Sequence, residues 1–432
     1  MNFHIAKGVF DILPEDPDPQ GAWRQSHLWQ YVEKTIREIA CEFGYQEIRT
    51  PLFESTDLFK RSVGLTSDIV TKEMYTFEDK GGRSLTLRPE GTAPILRAFI
   101  EKNLNQIAPV HKFFYILPMF RYERQQAGRY RQHHQFGIEA IGNHSPLQDV
   151  EGIHLLWTFY ERLGIKNVHL HLNSIGNRET RHAYRIALQE YLKPFFEKLS
   201  PESKERFQTN PLRILDSKNE ADQNILKEAP QILEFLDAQG KAHFEQVCHL
   251  LKKIGIPYQI NNKLVRGLDY YNHTVFEITS QELGSQNSLG GGGRYDGLMK
   301  EMGGADLPAF GFGAGLERVI QTLLAQKAPI PSPSTPLLFL IPMGEAAALK
   351  CFEWTCALRK AHLPVEMEMS GKKIKAAMRM ANAMHARFIL VIGDEELHSG
   401  EATLKEMATG REESLSLDLL IHRLQDAFQK NT

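Results

Sequence analysis

The strongest constraint on the fold of this chain is the stretch APIPSPSTP, residues 328–336. Its four prolines and two serines exclude an α-helix, because proline lacks the backbone donor and clashes with the preceding turn. They also leave no room for a central strand. We therefore predict a linker at residues 328–336, which separates a long first domain, residues 1–327, from a shorter second domain, residues 337–432.

The second domain alternates between two kinds of segment. LLFLIPM, VEME and FILVIG are typical of strands, whereas EAAALKCFEWTCALRKA and KKIKAAMRMANAMHA are typical of helices. LDLLIHRLQDAF predicts a final amphipathic helix. This order predicts a small α/β domain of about 100 residues. In the first domain, a polar, helix-favouring segment at about residues 178–255 lies between strand-rich halves and is predicted to be a helical insertion.

The composition carries no unusual global charge. Hydrophobic residues make up 42% and charged residues 24%, and the formal net charge is −2, so a polyanion would have to meet a local patch. The four cysteines form no CxxC pair, which predicts reduced thiols and no metal site. The first residues lack an apolar signal segment and the apolar runs are strand-sized, so we expect a cytoplasmic protein without a membrane span.

The densest group of charged residues is FRYERQQAGRYRQHHQFGIEAIG, residues 120–142. Two strand-like segments flank RQQAGRYRQ, whose glycine and polar residues favour a hairpin loop. With a period of two, Arg121 and Glu123 share one face of the first strand, and Gln135, Gly137 and Glu139 share one face of the second. We expect these side chains to line one sheet surface; the alternative is a solvated, charge-rich hairpin.

Three further stretches carry candidate site residues. In LTLRPEGTAPILRAF, Glu90 and Thr92 lie at a predicted strand-to-helix junction, where Thr92 is a candidate N-cap. In GGGGRYDGL, Tyr295 follows glycines that predict a flexible backbone that other groups approach closely; a tight turn or a bulge between strands is the alternative. GFGAGLERVI lacks the spacing of a dinucleotide-binding or phosphate-binding loop. It predicts a glycine-rich strand followed by a helix from about Leu316, with Arg318 in the first turn; an ordinary surface position is the alternative.

Together these blocks resemble class II aminoacyl-tRNA synthetases, and within that class the histidyl-tRNA synthetase family along nearly the full chain. GYQEIRTPLFE resembles motif 1, FRYER resembles motif 2 and GFGAGLER resembles motif 3. LRPEGT and RGLDYYNHTVFE resemble the two histidine-specific signatures. The resemblance implies an α+β fold with a six-stranded antiparallel catalytic sheet flanked by helices, a helical insertion before RGLDYYNHTVFE and a C-terminal α/β anticodon-binding domain. It also implies a homodimer whose interface includes residues 49–53.

The resemblance implies that ATP, accompanied by Mg²⁺, reacts with the carboxylate of L-histidine to give histidyl-adenylate. A carboxylate is already deprotonated at neutral pH, so the site must supply position and positive charge rather than a general base. His133 stands where the family commonly has a phenylalanine that stacks on adenine, and imidazole offers a smaller apolar face. The residues implied are Arg121, Arg266 and Arg318 for catalysis, and Arg121, Glu123, Arg129, His133 and Arg318 for ATP binding.

Specificity for histidine requires partners for both imidazole nitrogens, because an unpaired buried polar group is costly. The resemblance assigns the imidazole to Glu139 and Tyr271, the amino group to Glu90, Thr92 and Gln135, and the remaining walls to Tyr270 and Tyr295.

The second step of the implied reaction transfers the histidyl group to tRNA(His). The motif 2 loop would bind the acceptor end through Arg124, Gln125 and Gln126. GKKIKAAMRM is predicted to place Lys372, Lys373, Lys375 and Arg379 along one helical segment for phosphate contacts. A solvated helix face is the alternative.

Two other functions are compatible with such a fold. A synthetase-like regulatory subunit of ATP phosphoribosyltransferase binds histidine without aminoacylating tRNA, but it usually lacks the anticodon domain and has degraded signatures. A non-catalytic RNA-binding protein on a synthetase core would not need Arg121, Arg266 and Arg318 intact. We therefore expect an active ligase.

Overall fold

The computed structural model describes residues 3–64, 67–123, 129–282 and 287–429. The chain divides into two compact units, Met1–Pro331 and Ser332–Thr432. Each unit has buried apolar clusters of its own.

The first unit is built on a large sheet flanked by helices. Its strands are β1 (Gln46–Glu47), β2 (Phe53–Ser55), β3 (Tyr75–Glu78), β4 (Ser84–Leu87), β5 (His111–Phe120), β6 (Gln132–Ile141), β7 (Val168–Ser174), β8 (Tyr258–Ile260), β9 (Asn272–Ser280), β10 (Ser288–Arg294) and β11 (Ala309–Gly315). Its helices are α1 (Ser26–Glu42), α2 (Thr56–Val63), α3 (Thr92–Glu101), α4 (Pro146–Arg162), α5 (Arg178–Leu192), α6 (Pro201–Thr209), α7 (Glu220–Ile225), α8 (Ala238–Lys253), α9 (Leu298–Glu301) and α10 (Leu316–Ala325).

Within the described residues, eight strands form one sheet in the order β1-β5-β6-β11-β10-β9-β7-β8. The six inner strands pair antiparallel, as the family resemblance implies. β1 and β8 extend the two edges as parallel strands, so the sheet is mixed. Strands β2, β4 and β3 form a separate three-stranded sheet.

The two faces of the large sheet carry different side chains. Phe136, Ile138 and Ala140 of β6 are buried in the apolar cluster that includes α1, α4 and α10. Because side chains alternate along a strand, Gln135 and Glu139 point to the opposite face, towards the start of α3. One face of the sheet therefore packs on the first apolar cluster, and the other carries Gln135 and Glu139 beside a second apolar cluster that includes Phe113 and Leu117.

The four glycines at residues 290–293 lie within β10, in the middle of the sheet. The predicted close approach of other backbone is confirmed, and the alternative of a tight turn is wrong. The pairing of β10 with β9 shifts register at both ends of the glycine run, as at a bulge. The strands approach closely: a Cβ at Gly292 would overlap the carbonyl oxygen of Gly311. A Cβ at Gly291 would lie 2.5 Å from the carbonyl oxygen of Phe276. This crowding comes from the neighbouring strands β9 and β11, which the glycine run alone does not identify.

Between β7 and β8 the chain is mainly helical, from α5 to α8. Asn177 precedes α5 and its side chain accepts a hydrogen bond from the Thr180 amide at 2.8 Å. Asp237 caps α8 in the same way through the Gly240 amide at 2.6 Å. Side-chain oxygens therefore satisfy amide groups that the first turn of each helix leaves free.

The second unit has strands β12 (Leu338–Pro342), β13 (Val365–Met367), β14 (Phe388–Ile392), β15 (Glu401–Glu406) and β16 (Glu412–Ser416) and helices α11 (Glu345–Lys360), α12 (Ile374–Ala383), α13 (Asp394–Ser399) and α14 (Leu420–Gln429). LLFLIPM, VEME and FILVIG form β12, β13 and β14 as predicted, in a sheet of order β13-β12-β14-β15-β16. The sequence pattern does not predict the β15–β16 hairpin. Its strands bury few apolar side chains, such as Ala402, Leu404 and Leu415, among charged ones.

The prediction that Lys372 and Lys373 lie in a helix is wrong. α12 begins at Ile374, and Lys373 precedes it with extended backbone angles. Glu368 accepts hydrogen bonds from the amides of Ser370 and Lys372 and holds this segment in a turn. Lys375 lies in α12, as predicted, and so does Arg379; all four basic residues are exposed.

Candidate active site

A cavity of about 220 Å³ lies on the polar face of the large sheet. The β5–β6 hairpin, the start of α3, the irregular segment 266–271, β10 and the β11–α10 junction surround it. The predicted site residues that line it are Glu90, Thr92, Arg121, Glu123, Arg129, His133, Gln135, Arg266, Tyr270, Tyr271 and Arg318. Positions far apart in sequence therefore meet in one cavity, which excludes the alternative of a merely solvated hairpin.

Two predicted residues lie outside the lining. Glu139 and Tyr295 are each 1% exposed, and the Tyr295 hydroxyl donates a hydrogen bond to Oε2 of Glu139. Oε1 of Glu139 accepts a hydrogen bond of 2.8 Å from the Thr92 hydroxyl, which does line the cavity. Burial is the main reason that the pKa of Glu139 rises to about 8.

Glu90 caps helix α3. Its two carboxylate oxygens accept hydrogen bonds from the amides of Thr92 at 2.7 Å and Ala93 at 2.8 Å. The prediction of Thr92 as the N-cap is wrong, because Gly91 holds that position and Thr92 is the first helical residue. The Thr92 hydroxyl is thereby free to reach Glu139. Burial raises the pKa of Glu90.

The tyrosines of the RGLDYY segment lie in one aromatic group. The ring centroids of Tyr270 and Tyr271 are 4.8 Å apart, and that of Tyr295 is 5.6 Å from Tyr270. Tyr270 and Tyr271 precede β9, which begins at Asn272. They therefore do not occupy opposite faces of a strand, and both line the cavity.

Four arginines line the cavity, and each of them has a partner that holds its side chain. Nε of Arg121 donates to the carbonyl oxygen of Pro89 at 2.8 Å, and Arg129 forms an ion pair of 3.1 Å with Glu123. Arg266 and Arg318 are held near β10, by Glu277 and by the Ser288 carbonyl respectively. Such preorganised cations favour anionic ligands, because the cost of ordering the side chains is met during folding.

Arg266 and Arg318 are connected through Ser288. Nη1 of Arg266 lies 3.3 Å from Oε1 of Glu277, which also accepts a hydrogen bond of 2.7 Å from the Ser288 hydroxyl. Nη1 of Arg318 donates to the Ser288 carbonyl at 2.8 Å. Burial lowers the pKa of Arg318, but arginine keeps its charge at neutral pH. The sequence pattern did not single out Glu277 and Ser288, which hold these two guanidinium groups.

His133 lines the cavity as a neutral ring. Burial, followed by the charge of Arg121, lowers the pKa of His133 to about 3. The neighbouring His134 points elsewhere and is held by Glu317, whose Oε1 accepts hydrogen bonds from the amide of His134 at 2.7 Å and lies 3.0 Å from its Nδ1. A neutral imidazole at position 133 is compatible with stacking on an aromatic ligand.

Tyr115 is the main lining residue that sequence reasoning missed. It pairs with Gly137 across β5 and β6, and its hydroxyl accepts a hydrogen bond of 2.8 Å from Nε2 of Gln135. A Cβ at Gly137 would overlap that hydroxyl, and one at Gly91 would lie 2.6 Å from the ring. The period of two in β5 was the available signal, since it places Tyr115 on the same face of the hairpin as Arg121, which is the predicted polar face.

The remaining predictions concern RNA, metal ions and membranes. Arg124, Gln125 and Gln126 lie outside the described residues. In the part of the chain that the structure describes, no group of three or more His, Cys, Asp or Glu side chains is arranged to hold a metal ion. A search of those same residues finds no helix with both the length and the apolar character needed to cross a membrane.

Comparisons with known proteins agree with this geometry. Residues 15–319 match the family model described as histidyl-tRNA synthetase, and residues 338–427 match the model described as anticodon binding domain. A histidine–tRNA ligase of Protochlamydia amoebophila is 58% identical over 99% of this chain and 100% of its own length. One of Chlamydia felis is 50% identical over the whole of both chains.

A crystal structure of apo S. aureus histidyl-tRNA synthetase superimposes with a TM-score of 0.82 at 36% identity. The match covers 98% of this chain and 100% of the S. aureus chain. The fold class and the resemblance inferred from sequence are thereby confirmed. With its cavity of arginines and tyrosines on the class II sheet, this chain belongs to the histidyl-tRNA synthetase family.

Proposed function

We propose that this protein ligates L-histidine to tRNA(His), with ATP as the second substrate, through a histidyl-adenylate intermediate. The observation that carries the proposal is the convergence of Arg121, Arg266 and Arg318 on a cavity backed by a buried Glu139. The three arginines suit two anionic substrates, the histidine carboxylate and ATP. The Glu139 carboxyl suits the polar imidazole ring of histidine. The names of the full-length relatives point to the same reaction.

In the first step, the histidine carboxylate attacks the α-phosphorus of ATP, and pyrophosphate leaves. Arg266 would contact the carboxylate and the α-phosphate, while Arg121 and Arg318 contact the phosphate from other directions. The reaction needs no general base, so these groups act by holding two anions together and stabilising the charge of the pentavalent phosphate. Arginine suits this task because its planar fork bonds two oxygens at once.

The remaining ATP contacts are proposed from the same cavity. Arg129 would bind the β- and γ-phosphates, and the neutral ring of His133 would stack on adenine. Magnesium accompanies ATP as part of the substrate. Glu123 is the acidic side chain proposed for the ATP-binding part of the cavity. The ion pair between Glu123 and Arg129 holds both side chains before ATP binds.

The histidine side chain is proposed to bind between Glu139 and Tyr271. Glu90, Thr92 and Gln135 would bind the substrate amino group, and Tyr270 and Tyr295 would complete the pocket. The support is the buried chain of hydrogen bonds from Tyr295 through Glu139 to Thr92. This chain supplies polar partners for the imidazole nitrogens, which are costly to leave unpaired in a buried pocket.

The tRNA contacts belong to two regions. Arg124, Gln125 and Gln126 would bind the acceptor end, and Lys372, Lys373, Lys375 and Arg379 of the anticodon-binding unit would contact phosphates. These roles accompany the proposed domain division into residues 1–327, a linker at 328–336 and residues 337–432. We place the protein in the cytoplasm, where its tRNA substrate is found.

A homodimer is proposed for the surface near motif 1. Leu52 and Phe53 are 48% and 49% exposed, and Phe77 on the neighbouring small sheet is 43% exposed. The rings of Phe53 and Phe77 pack edge to face at 6.2 Å. Exposed apolar side chains grouped in this way favour a protein partner.

The deciding experiment is histidine-dependent exchange of labelled pyrophosphate into ATP, with the other nineteen amino acids as controls. Exchange with histidine alone is the expected result. Histidine binding without any exchange would instead support the regulatory subunit of ATP phosphoribosyltransferase.

A further inference from the structure

The histidine-recognition loop, defined here as residues 266–271, lies outside the strands of the sheet. It carries Tyr270 and Tyr271 into the cavity, and Asn272 begins β9 directly after it. A loop of this kind depends on contacts from other elements to keep its side chains in one arrangement. The helical segment between β7 and β8 supplies such contacts.

Arg181 of α5 binds the backbone of this loop at two points. Its Nη1 donates to the carbonyl oxygen of Tyr271 at 2.8 Å and to that of Asp269 at 3.2 Å. One nitrogen therefore bridges the two carbonyls that flank Tyr270. Asn210 adds a third contact from the same helical segment, because its Nδ2 donates to the Asp269 carboxylate at 2.9 Å.

The surroundings of Arg181 favour this internal role. Burial lowers the pKa of its guanidinium, with the nearby carboxylates of Glu301 and Asp269 acting in the opposite direction. A surface groove is lined by Arg181 and by loop residues that include Asp269 and Tyr271. Arg185, one turn further along α5, lines the same groove. Its Nη2 donates only a long hydrogen bond of 3.4 Å to the carbonyl of Gln208, within the helical segment.

We propose that Arg181 is a positioning residue for histidine recognition: its guanidinium fixes the Asp269–Tyr271 backbone and thereby sets the position of the Tyr271 hydroxyl. The proposal rests on the function assigned to Tyr271 above. Arg181 is not among the described residues that line the candidate active-site cavity. It acts through the loop, because a shift of the Tyr271 carbonyl moves the phenol that is to meet the imidazole.

The physical reason is the strength and direction of the two hydrogen bonds. A charged donor binds a carbonyl more strongly than a neutral one, and a planar guanidinium holds it in a fixed direction. Loss of the bridge leaves the two carbonyls to water and lets the loop sample other arrangements. Histidine binding then has to order the loop as well, and this cost weakens the apparent affinity for histidine.

The test compares Arg181→Ala with Arg185→Ala in the full-length protein. Pyrophosphate exchange is measured without tRNA, at varied histidine and at varied ATP. For Arg181→Ala we expect the KM for histidine to rise about tenfold and the KM for ATP to stay within about twofold, as for loss of a charged hydrogen bond. For Arg185→Ala both KM values should stay within about twofold of the parent, because among the described residues its hydrogen bond goes to Gln208 and not to the loop.

A double-mutant cycle with Tyr271→Phe then separates this proposal from the assignment beneath it. If Arg181 acts through Tyr271, the two substitutions raise the KM for histidine by less than the product of their single effects. No effect of Tyr271→Phe alone would overturn the role of Tyr271, whereas a full product of effects would overturn the coupling to Arg181.

Two further outcomes would also overturn the proposal. One is an unchanged KM for histidine in a folded Arg181→Ala protein. The other comes from a parallel aminoacylation assay at varied tRNA(His): a rise only in the KM for tRNA, shared by both arginine variants, would make the groove a phosphate-binding surface instead. If Arg181→Ala does not fold, Arg181→Lys replaces it, and a KM for histidine equal to that of the parent would contradict the need for the guanidinium.

Discussion

The side chains of Gln135 and Glu139 cross β11 at positions where β11 has no side chains. A Cβ at Gly313 would overlap the amide of Gln135, and one at Gly311 would overlap the carboxylate of Glu139. The glycines of GFGAG therefore make room for polar groups of the proposed histidine pocket. A sequence pattern identifies these glycines, but only the strand pairing explains why they are needed.

Gly313→Ala is predicted to raise the KM for histidine about tenfold, because Gln135 must move and overpacking of this kind costs about 1–3 kcal/mol. Steady-state pyrophosphate exchange measures the effect. Gly315→Ala is the comparison on the same strand, since a Cβ there meets no protein atom within 4 Å; because Gly315 lines the cavity, the KM for ATP is measured alongside that for histidine. Equal KM values for the two variants would contradict the proposed crowding.

The raised pKa of Glu139 predicts a pH-dependent affinity for histidine. The carboxyl, with a pKa of about 8, is mostly protonated at pH 7 in the empty site. A histidine N–H bond favours the ionised form, so binding below pH 8 releases a proton and affinity rises with pH. We expect the KM for histidine to fall about fivefold from pH 7 to pH 8.

Glu139→Gln is the control for this prediction. It cannot titrate, so the part of the pH dependence that belongs to Glu139 should vanish, while the titration of free histidine affects both proteins alike. The measurement is the KM for histidine at several pH values in parallel. An identical pH profile in the two proteins would assign the dependence to the substrate alone.

At the scale of elements, α4, α8 and β10 meet at a buried charge cluster behind the site. Asp149 of α4 lies 2.7 Å from Nη2 of Arg294, and Nε2 of His243 of α8 lies 2.8 Å from the other carboxylate oxygen. Arg294 also pairs with Asp296 at 3.2 Å, and it directly precedes Tyr295. The cluster thus connects the helical segment to the residue that holds Glu139.

Asp149→Asn is predicted to destabilise the first unit by about 3–5 kcal/mol, because Arg294, 1% exposed, loses a buried ionic partner. Denaturant unfolding followed by tryptophan fluorescence measures the change. Glu42→Gln is the comparison: it breaks an exposed ion pair with Arg162, and exposed pairs contribute little to stability. Equal unfolding midpoints for the two variants would show that the buried ion pair contributes no more to stability than the exposed one.

At the scale of the whole molecule, the proposed dimer depends on the apolar group around Phe53. Phe53→Asp is predicted to shift the protein from dimer to monomer at micromolar concentration, because it places a charge in a buried apolar contact. Sedimentation velocity measures the shift. Ile186→Asp is the matched control, since Ile186 is 46% exposed on α5 and far in sequence from motif 1. Dissociation by both variants would argue against a specific interface at Phe53.

Local pattern determined a large part of this protein. Prolines 329–336 marked a boundary region, strand-like composition predicted β5 and β6, and alternating strand-like and helix-like segments predicted the β12–β14 core. Five motif blocks predicted the family and many of the residues that line the cavity. These signals are local because hydrophobic period, turn residues and short motifs act within one or two elements. The exposed hairpin β15–β16 was missed because it buries too few apolar side chains to create a clear period.

Other features were decided only by the tertiary structure. Glycines 290–293 lie in a central strand, and these positions require glycine because the neighbouring strands leave no space for a Cβ. Glu139 has a raised pKa because residues from three separate segments exclude water from it. Arg181 meets Tyr271 across 90 residues of chain. Such contacts depend on which segments the fold brings together, and no local pattern in the sequence contains that information.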